Sequence, residues 1–188
     1  MKQTFMTIAV TAITLGTTAI LSACDQANTC KYDETANTLS CSEKTYKTAN
    51  LGGKVWMADN ISAYIPDSSV CYGNDHANCE TAGRLYTWSA ATTGLCPKGW
   101  TLPSQQDFKN AFGTATVASL KESGSFNMQF AGFRYFDGKF ADKGASASFW
   151  TSDSYDDSRA YLVRATDSAI TYEHFNNNIF ASVRCVKE

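Results

Sequence analysis

The chain has 188 residues, 16 basic against 18 acidic side chains, and a formal net charge of −2. That is about one domain's length, and a balanced charge with no basic stripe among the aromatics excludes an electrostatic nucleic-acid footprint. Apolar residues make up 44% and aromatics 13%, enough for a packed core and too much for a disordered chain, while two histidines leave little material for histidine metal sites or histidine-centred triads.

In chain order, an export signal comes first. Lys2 precedes an uncharged run from Phe5 to Leu21 that ends in Leu21-Ser22-Ala23-Cys24. A charged start, an apolar stretch and small residues before a cleavage point mark residues 1–23 as a secretory signal peptide. Thr4, Thr7, Thr11, Thr14, Thr17 and Thr18 dilute the run below the hydrophobicity of a spanning helix, and no stop-transfer basic cluster follows. Its last four residues resemble the bacterial lipobox. That resemblance implies that Cys24 becomes the first residue and carries the lipid, since only a thiol forms the thioether. The expected partner is therefore the membrane, through a lipid anchor. The expected location is extracytoplasmic, at the outer membrane or cell surface, although Asp25 matches one bacterial rule for inner-membrane retention.

Of the seven cysteines, removing Cys24 leaves an even set: Cys30, Cys41, Cys71, Cys79, Cys96 and Cys185. An exported chain with an even remainder reads as a disulfide framework. Cys30 and Cys41 bracket the polar turn Glu34-Thr35-Ala36-Asn37, and Cys71 and Cys79 bracket a loop full of turn formers. Cys96 and Cys185 are left to close most of the domain. No CxxC spacing favours zinc, and no metal or other cofactor is expected.

Residues 24–43 read as a lipidated tether with a small disulfide-closed hairpin, and residues 44–188 as the folded domain. Residues 45–51 are extended, Gly52-Gly53 turns, and residues 54–57 return. Residues 59–70 connect irregularly. Leu85, Trp88 and Ala91 share one face of a short helix over residues 84–91. Ser104 with Asp107 opens a capped helix whose stripe is Phe108, Ala111 and Phe112 and whose stop is Gly113. Residues 114–122 add a helical turn or two. Phe126, Met128 and Phe130 alternate with polar residues as a strand does. Asp137-Gly138 marks a hairpin, residues 142–148 read as a loop of small residues, and residues 161–165 pair with 169–172 across Thr166-Asp167-Ser168. A last strand puts Ile179, Ala181, Val183 and Cys185 on one face. The class is α+β: short helices packed on a small antiparallel sheet, with long loops.

Several blocks in order resemble a known family. They are Lys44-Thr45-Tyr46-Lys47 through Gly52 to Trp56-Met57-Ala58-Asp59-Asn60; Cys71-Tyr72-Gly73-Asn74-Asp75 through Cys79 to Gly83-Arg84-Leu85-Tyr86-Thr87-Trp88; Cys96-Pro97-Lys98-Gly99-Trp100-Thr101-Leu102-Pro103-Ser104; Phe149-Trp150-Thr151-Ser152; and Ser182-Val183-Arg184-Cys185-Val186-Lys187. Together they resemble the Fibrobacter succinogenes major paralogous domain over residues 44–188. The resemblance implies a C-type-lectin-like fold related to formylglycine-generating enzymes. It also implies exported, often lipid-anchored proteins suspected in attachment to plant polysaccharide. The Cys30–Cys41 segment lies outside the family's blocks.

The enzyme branch of that fold holds copper with a close pair of thiols near the C-terminus. Cys185 is the only cysteine after Cys96, so that site does not carry over and no catalytic residue is assigned. The calcium-binding lectins of the fold place a proline in the long loop, and no proline follows Pro103. Calcium needs six to eight oxygens. Asn74, Asp75, Asn78 and Glu80 form one cluster that could supply some, Asp153, Asp156 and Asp157 another, and turn formation accounts for both. Binding without metal remains, through rings that tolerate exposure. Trp56, Trp88, Trp100 and Trp150 read as core. Tyr135, Phe136 and Phe140 crowd a tight turn, and Tyr155 sits with Asp153 and Asp156 in a polar loop. These six are the candidate ligand-binding residues, with contact centred on the hairpin and the loop around Tyr155. The expected role is a non-catalytic binding or adhesion module for plant polysaccharide or another surface glycan. The alternative is a structural component whose partner is an envelope protein.

Overall fold

The computed structural model describes residues 30–42 and 44–188; the signal segment and Cys24 lie outside them. Strands β1 (Lys31–Asp33) and β2 (Thr38–Ser40) pair around a turn in which Asn37 takes a φ of 50°. The Cys30–Cys41 disulfide closes the hairpin's base. β2 pairs with β3 (Thr45–Leu51) and buries Leu39, so this extension is the edge of a sheet. β3 turns through Gly52-Gly53 into β4 (Lys54–Met57). Gly52 has a φ of +58°, and a Cβ there would meet the backbone of Asn110 and Ala111 at 2.7 Å, so only glycine lets this turn close against the later helix.

After an irregular connection come β5 (Ser69–Val70), a 3₁₀ turn (Tyr72–Asn74) and α1 (His76–Ala82). Cys71 is joined to Cys79. The sequence predicts a loop between them, yet the second half of the segment is helical. Asp75 accepts a hydrogen bond from the Ala77 N–H at 3.0 Å and nucleates a helix by capping it. The next expected helix is corrected in the other direction. Leu85–Tyr86 is strand β6, and α2 (Trp88–Thr92) starts only after Thr87 caps it. The strand takes precedence because β6 pairs with neighbours on both sides.

β7 (Trp100–Thr101) leads to α3 (Gln105–Phe112), whose Ser104–Asp107 capping box and Gly113 stop form as expected. α4 (Val117–Lys121) follows. β8 (Phe133–Arg134) and β9 (Phe140–Ala141) make the Asp137-Gly138 hairpin. β10 (Ser146–Asp156), β11 (Arg159–Thr166) and β12 (Ile170–Asn176) form a meander, so residues 146–148 open a strand and do not end a loop, and Tyr155 lies in β10 where a loop is expected, because the end of β10 pairs with the start of β11. The chain closes with β13 (Ala181–Ser182) and β14 (Val186–Lys187).

The described residues form three sheets, ordered β1-β2-β3-β4-β14-β7, β12-β11-β10-β13-β6-β5 and β8-β9. The expected wholly antiparallel arrangement has an exception: β10 and β13 run parallel. One apolar cluster gathers Tyr86, Trp100, Trp150, Leu162 and Cys185, with the Cys96–Cys185 disulfide at its margin. A second gathers Trp56, Phe108, Phe112, Phe126, Phe149 and Val163. Among the described residues, no helix is long and apolar enough to cross a membrane. Three disulfides are the chemistry of an oxidising, extracytoplasmic compartment.

Two expected strands dissolve. Residues 126–130 carry no ladder, although Phe126 and Met128 are buried. Asn127 has a φ of 50°, the Phe126 and Asn127 carbonyls accept from the Arg184 guanidinium, and the Met128 N–H donates to the Leu120 carbonyl. With its polar groups engaged elsewhere, the backbone has nothing to pair with. The single last strand is likewise two short ones in different sheets. Ile179, Ala181, Val183 and Cys185 are buried as expected, and so are Ser182 and Arg184 between them. The chain crosses from one sheet to the other there, so both of its faces are covered.

Candidate functional site

An exposed aromatic cluster builds up at the far end of the β10–β12 meander. The register of β10 against β11 shifts between Trp150 and Ser154 and again before Asp156. Such irregularities re-aim side chains. Tyr155, 46% exposed, stacks on His174 of β12 with ring centroids 3.9 Å apart and planes within 14°. Tyr161 of β11, directly opposite His174 in register, meets the Tyr155 ring edge-on at 5.5 Å. The Arg159 guanidinium stands 4.6 Å from the centre of the Tyr155 ring.

Asp156 holds that arginine. It takes the Nε and Nη2 donors of Arg159 and the N–H of Ser158. The Arg159 hydrogen bond, then that of Ser158, lowers its pKa to about 2. A depressed carboxylate pKa adds stability that is present above the ordinary value near 4 and is lost as pH falls through the folded value. We expect the Asp156 carboxyl, followed by NMR, to titrate near 2 and to move towards the ordinary aspartate value in Arg159→Gln. A midpoint unmoved by that substitution refutes the pairing. Asp153 is engaged elsewhere. Its Oδ2 accepts the Gln105 N–H at 2.6 Å and so pins the start of α3 to β10.

The other expected residues sit on the β8–β9 hairpin. Phe136 is 69% exposed and Tyr135 is 38% exposed. Phe140 is half-buried against Tyr72, at 5.0 Å. Tyr135 packs edge-on to Phe133, and Phe133 reaches Phe175 of β12. Phe175 follows His174, and successive strand residues point to opposite faces. The hairpin cluster and the Tyr155 cluster therefore lie on opposite faces of β12. The contact region expected from sequence divides into two.

His174, Tyr161 and Arg159 do not stand out in the sequence as site residues. A usable signal existed, because the turn at residues 166–168 fixes the β11–β12 register and so sets Tyr161 against His174. Tyr64 is a further exposed ring outside the expected set; it is 62% exposed and the Arg84 guanidinium lies 5.0 Å from its ring centre. Trp56, Trp100 and Trp150 are core, and Trp88 is half-buried, its Nε1–H donating to the Thr151 carbonyl at 2.8 Å. Around Asn74 to Glu80, Asp75 caps α1, and the Asn78 Oδ1 accepts from the Lys143 ammonium. A lysine thus stands where a cation would bind. Among the described residues no group of three or more His, Cys, Asp or Glu side chains converges.

The family model described as the Fibrobacter succinogenes major domain matches residues 49–114 and 109–187. No curated protein and no solved structure matches this chain.

Proposed function

Since the chain belongs to the Fibrobacter succinogenes major domain family, we propose that it is a non-catalytic binding module, a lipoprotein anchored through Cys24 at the outer membrane or cell surface. Its C-type-lectin-like domain grips a surface polysaccharide without metal. The observation that carries this reading is the exposed Tyr155–His174 stack, flanked by Tyr161 and Arg159. Ring faces cover the apolar C–H face of a sugar and exclude water, and amphipathic rings tolerate exposure when the site is empty. Asp157, Ser158 and Asn176 stand exposed beside the stack as hydrogen-bonding rim.

The test is retention of the purified full chain on insoluble glycans, cellulose among them, set against capture of proteins from an envelope extract. Tyr155→Ala is expected to weaken glycan retention by about 1–2 kcal/mol, the scale of a true hot spot. Stability should change by under about 0.5 kcal/mol, as for other exposed substitutions. Tyr135→Ala and Phe136→Ala should have the smaller effect, because they lie on the other face of β12, and EDTA should have none. Retention that survives Tyr155→Ala sinks this site. Specific capture of an envelope protein, with no glycan held, assigns the module to envelope assembly instead.

A further inference from the structure

β12 is the outermost strand on one side of its sheet. The other outermost strands of the two large sheets, β1, β5 and β7, are two or three residues long, and β12 has seven. Long open edges are normally guarded by proline, lysine or a bulge. β12 holds neither residue, and it follows β11 in unbroken register.

The ladder decides which backbone groups face outward. At one end the Thr166 N–H donates to the Ala169 carbonyl, and at the other the Asn177 N–H donates to the Ser158 carbonyl. Hydrogen-bonded pairs recur at every second residue of an antiparallel ladder. With the register unbroken, Thr171, Glu173 and Phe175 therefore bond to β11, and Ile170, Tyr172, His174 and Asn176 turn their N–H and C=O groups away from it. The Asn176 carbonyl is taken by the Ile179 N–H at 3.1 Å. The outward groups of Ile170, Tyr172 and His174 have no backbone partner among the described residues. These three alternate residues are symmetric about Tyr172.

We propose that β12 pairs antiparallel with β12 of a second copy of this chain, with Tyr172 opposite Tyr172 at the two-fold axis. In that register Tyr172 exchanges both hydrogen bonds with its counterpart, and each Ile170 does so with the other copy's His174. The pairing uses the three open residues and no others. It also sets Thr171 of each copy against Glu173 of the other, a hydroxyl facing a carboxylate. The Thr171 hydroxyl already donates to one Glu173 oxygen in its own strand, at 2.5 Å, and a carboxylate accepts at both oxygens. The neighbouring registers do worse. Centring on Glu173 opposes two carboxylates, which is destabilising. Centring on His174 calls on the occupied Asn176 carbonyl, and centring on Thr171 leaves His174 unpaired. An axis perpendicular to the sheet preserves its faces, so the two Tyr155–His174 stacks lie on the same side. Their His174 residues are offset by four positions, about 14 Å along the strands. This consequence alone rests on the aromatic-stack reading, and it makes the dimer bivalent for glycan.

The test is sedimentation velocity of the full chain in density-matched detergent over a concentration series. The parent should show a monomer–dimer equilibrium. Thr171→Glu, at an exposed position, opposes like charges twice per dimer and should weaken association about tenfold. Thr171→Lys should keep or tighten it, and Thr171→Glu combined with Glu173→Lys should restore it, all with the parent's circular dichroism spectrum. Cross-linking reads the register: Thr171→Cys mixed with Glu173→Cys should form a disulfide-linked dimer under mild oxidation, and neither variant alone should. Tyr155→Ala should weaken glycan retention and leave association unchanged, so the two readings fail separately. A parent that stays monomeric throughout the series, an equal response to Thr171→Glu and Thr171→Lys, or cross-linking of Glu173→Cys with itself overturns the pairing.

Discussion

Replacing Arg184 by Met is expected to cost about 3–5 kcal/mol of stability, the loss seen when a buried charge network is broken on one side. The guanidinium is fully buried. It donates through Nε to Asn60 Oδ1 at 2.7 Å, through Nη1 to the Phe126 carbonyl and through Nη2 to the Asn127 carbonyl at 3.0 Å. Its charge lies 4.1 Å from the Phe126 ring centre and 5.3 Å from that of Phe149. Burial pulls its pKa down to about 9, opposed by the Asp59 carboxylate, so the cation persists at neutral pH. Methionine fills comparable volume but leaves three acceptors without donors, each at about 1–3 kcal/mol. Lysine keeps the charge and loses the planar fork, so Arg184→Lys should recover less than half of the loss. Urea denaturation measures both. A methionine variant within about 1 kcal/mol of the parent, a small change on this scale, would show that the network relaxes around the gap.

Removing the Cys96–Cys185 bridge by paired serine substitution is expected to cost about 2–5 kcal/mol, more than removing either other disulfide. The sequence separations are 89 for this bridge against 11 and 8 for the others. Restricting the unfolded chain counts for more as the closed loop lengthens. The tertiary setting adds to this: Cys185 is fully buried in the first core cluster, where the chain crosses between sheets. Comparing urea midpoints for the three paired-serine variants gives the order directly. If Cys71→Ser with Cys79→Ser cost as much, the length of the closed loop would not govern the order, and the short bridge would have to act through the folded state, by holding α1 in place.

Where a few consecutive residues decide a structure, the sequence was readable. The Ser104–Asp107 box, the Gly113 stop, the Gly52-Gly53 and Asp137-Gly138 turns and the β11–β12 hairpin each depend on local geometry, and all form. The three disulfides followed from parity and from the turn signals between their cysteines. Where pattern stood for partner, the reading failed. The alternation of Phe126, Met128 and Phe130 reports burial of alternate side chains, which a loop pressed on a core achieves as well as a strand. Leu85 and Tyr86 fit a helical face, but the pairing of β6 with β5 and β13 outweighed local preference.

The candidate site shows the same division. Tyr135, Phe136 and Tyr155 are exposed as their contexts suggested, because a ring at a tight turn or a strand end has nowhere to hide. Their grouping was not legible, since it depends on which face of β12 each cluster meets. Asp153 and Asp156 looked like ligand groups, and the fold engages them to tie the start of α3 to β10 and to hold Arg159. The sequence by itself determined the even disulfide framework, the family and the local caps and turns, all of which reside in residue identity and short spacing. Only the tertiary structure decided that Arg184 is a buried cation and that Tyr155 meets His174 and Tyr161. Each of these needs contacts between residues far apart in the chain, and no local pattern encodes the partner that satisfies a buried charge or completes a surface.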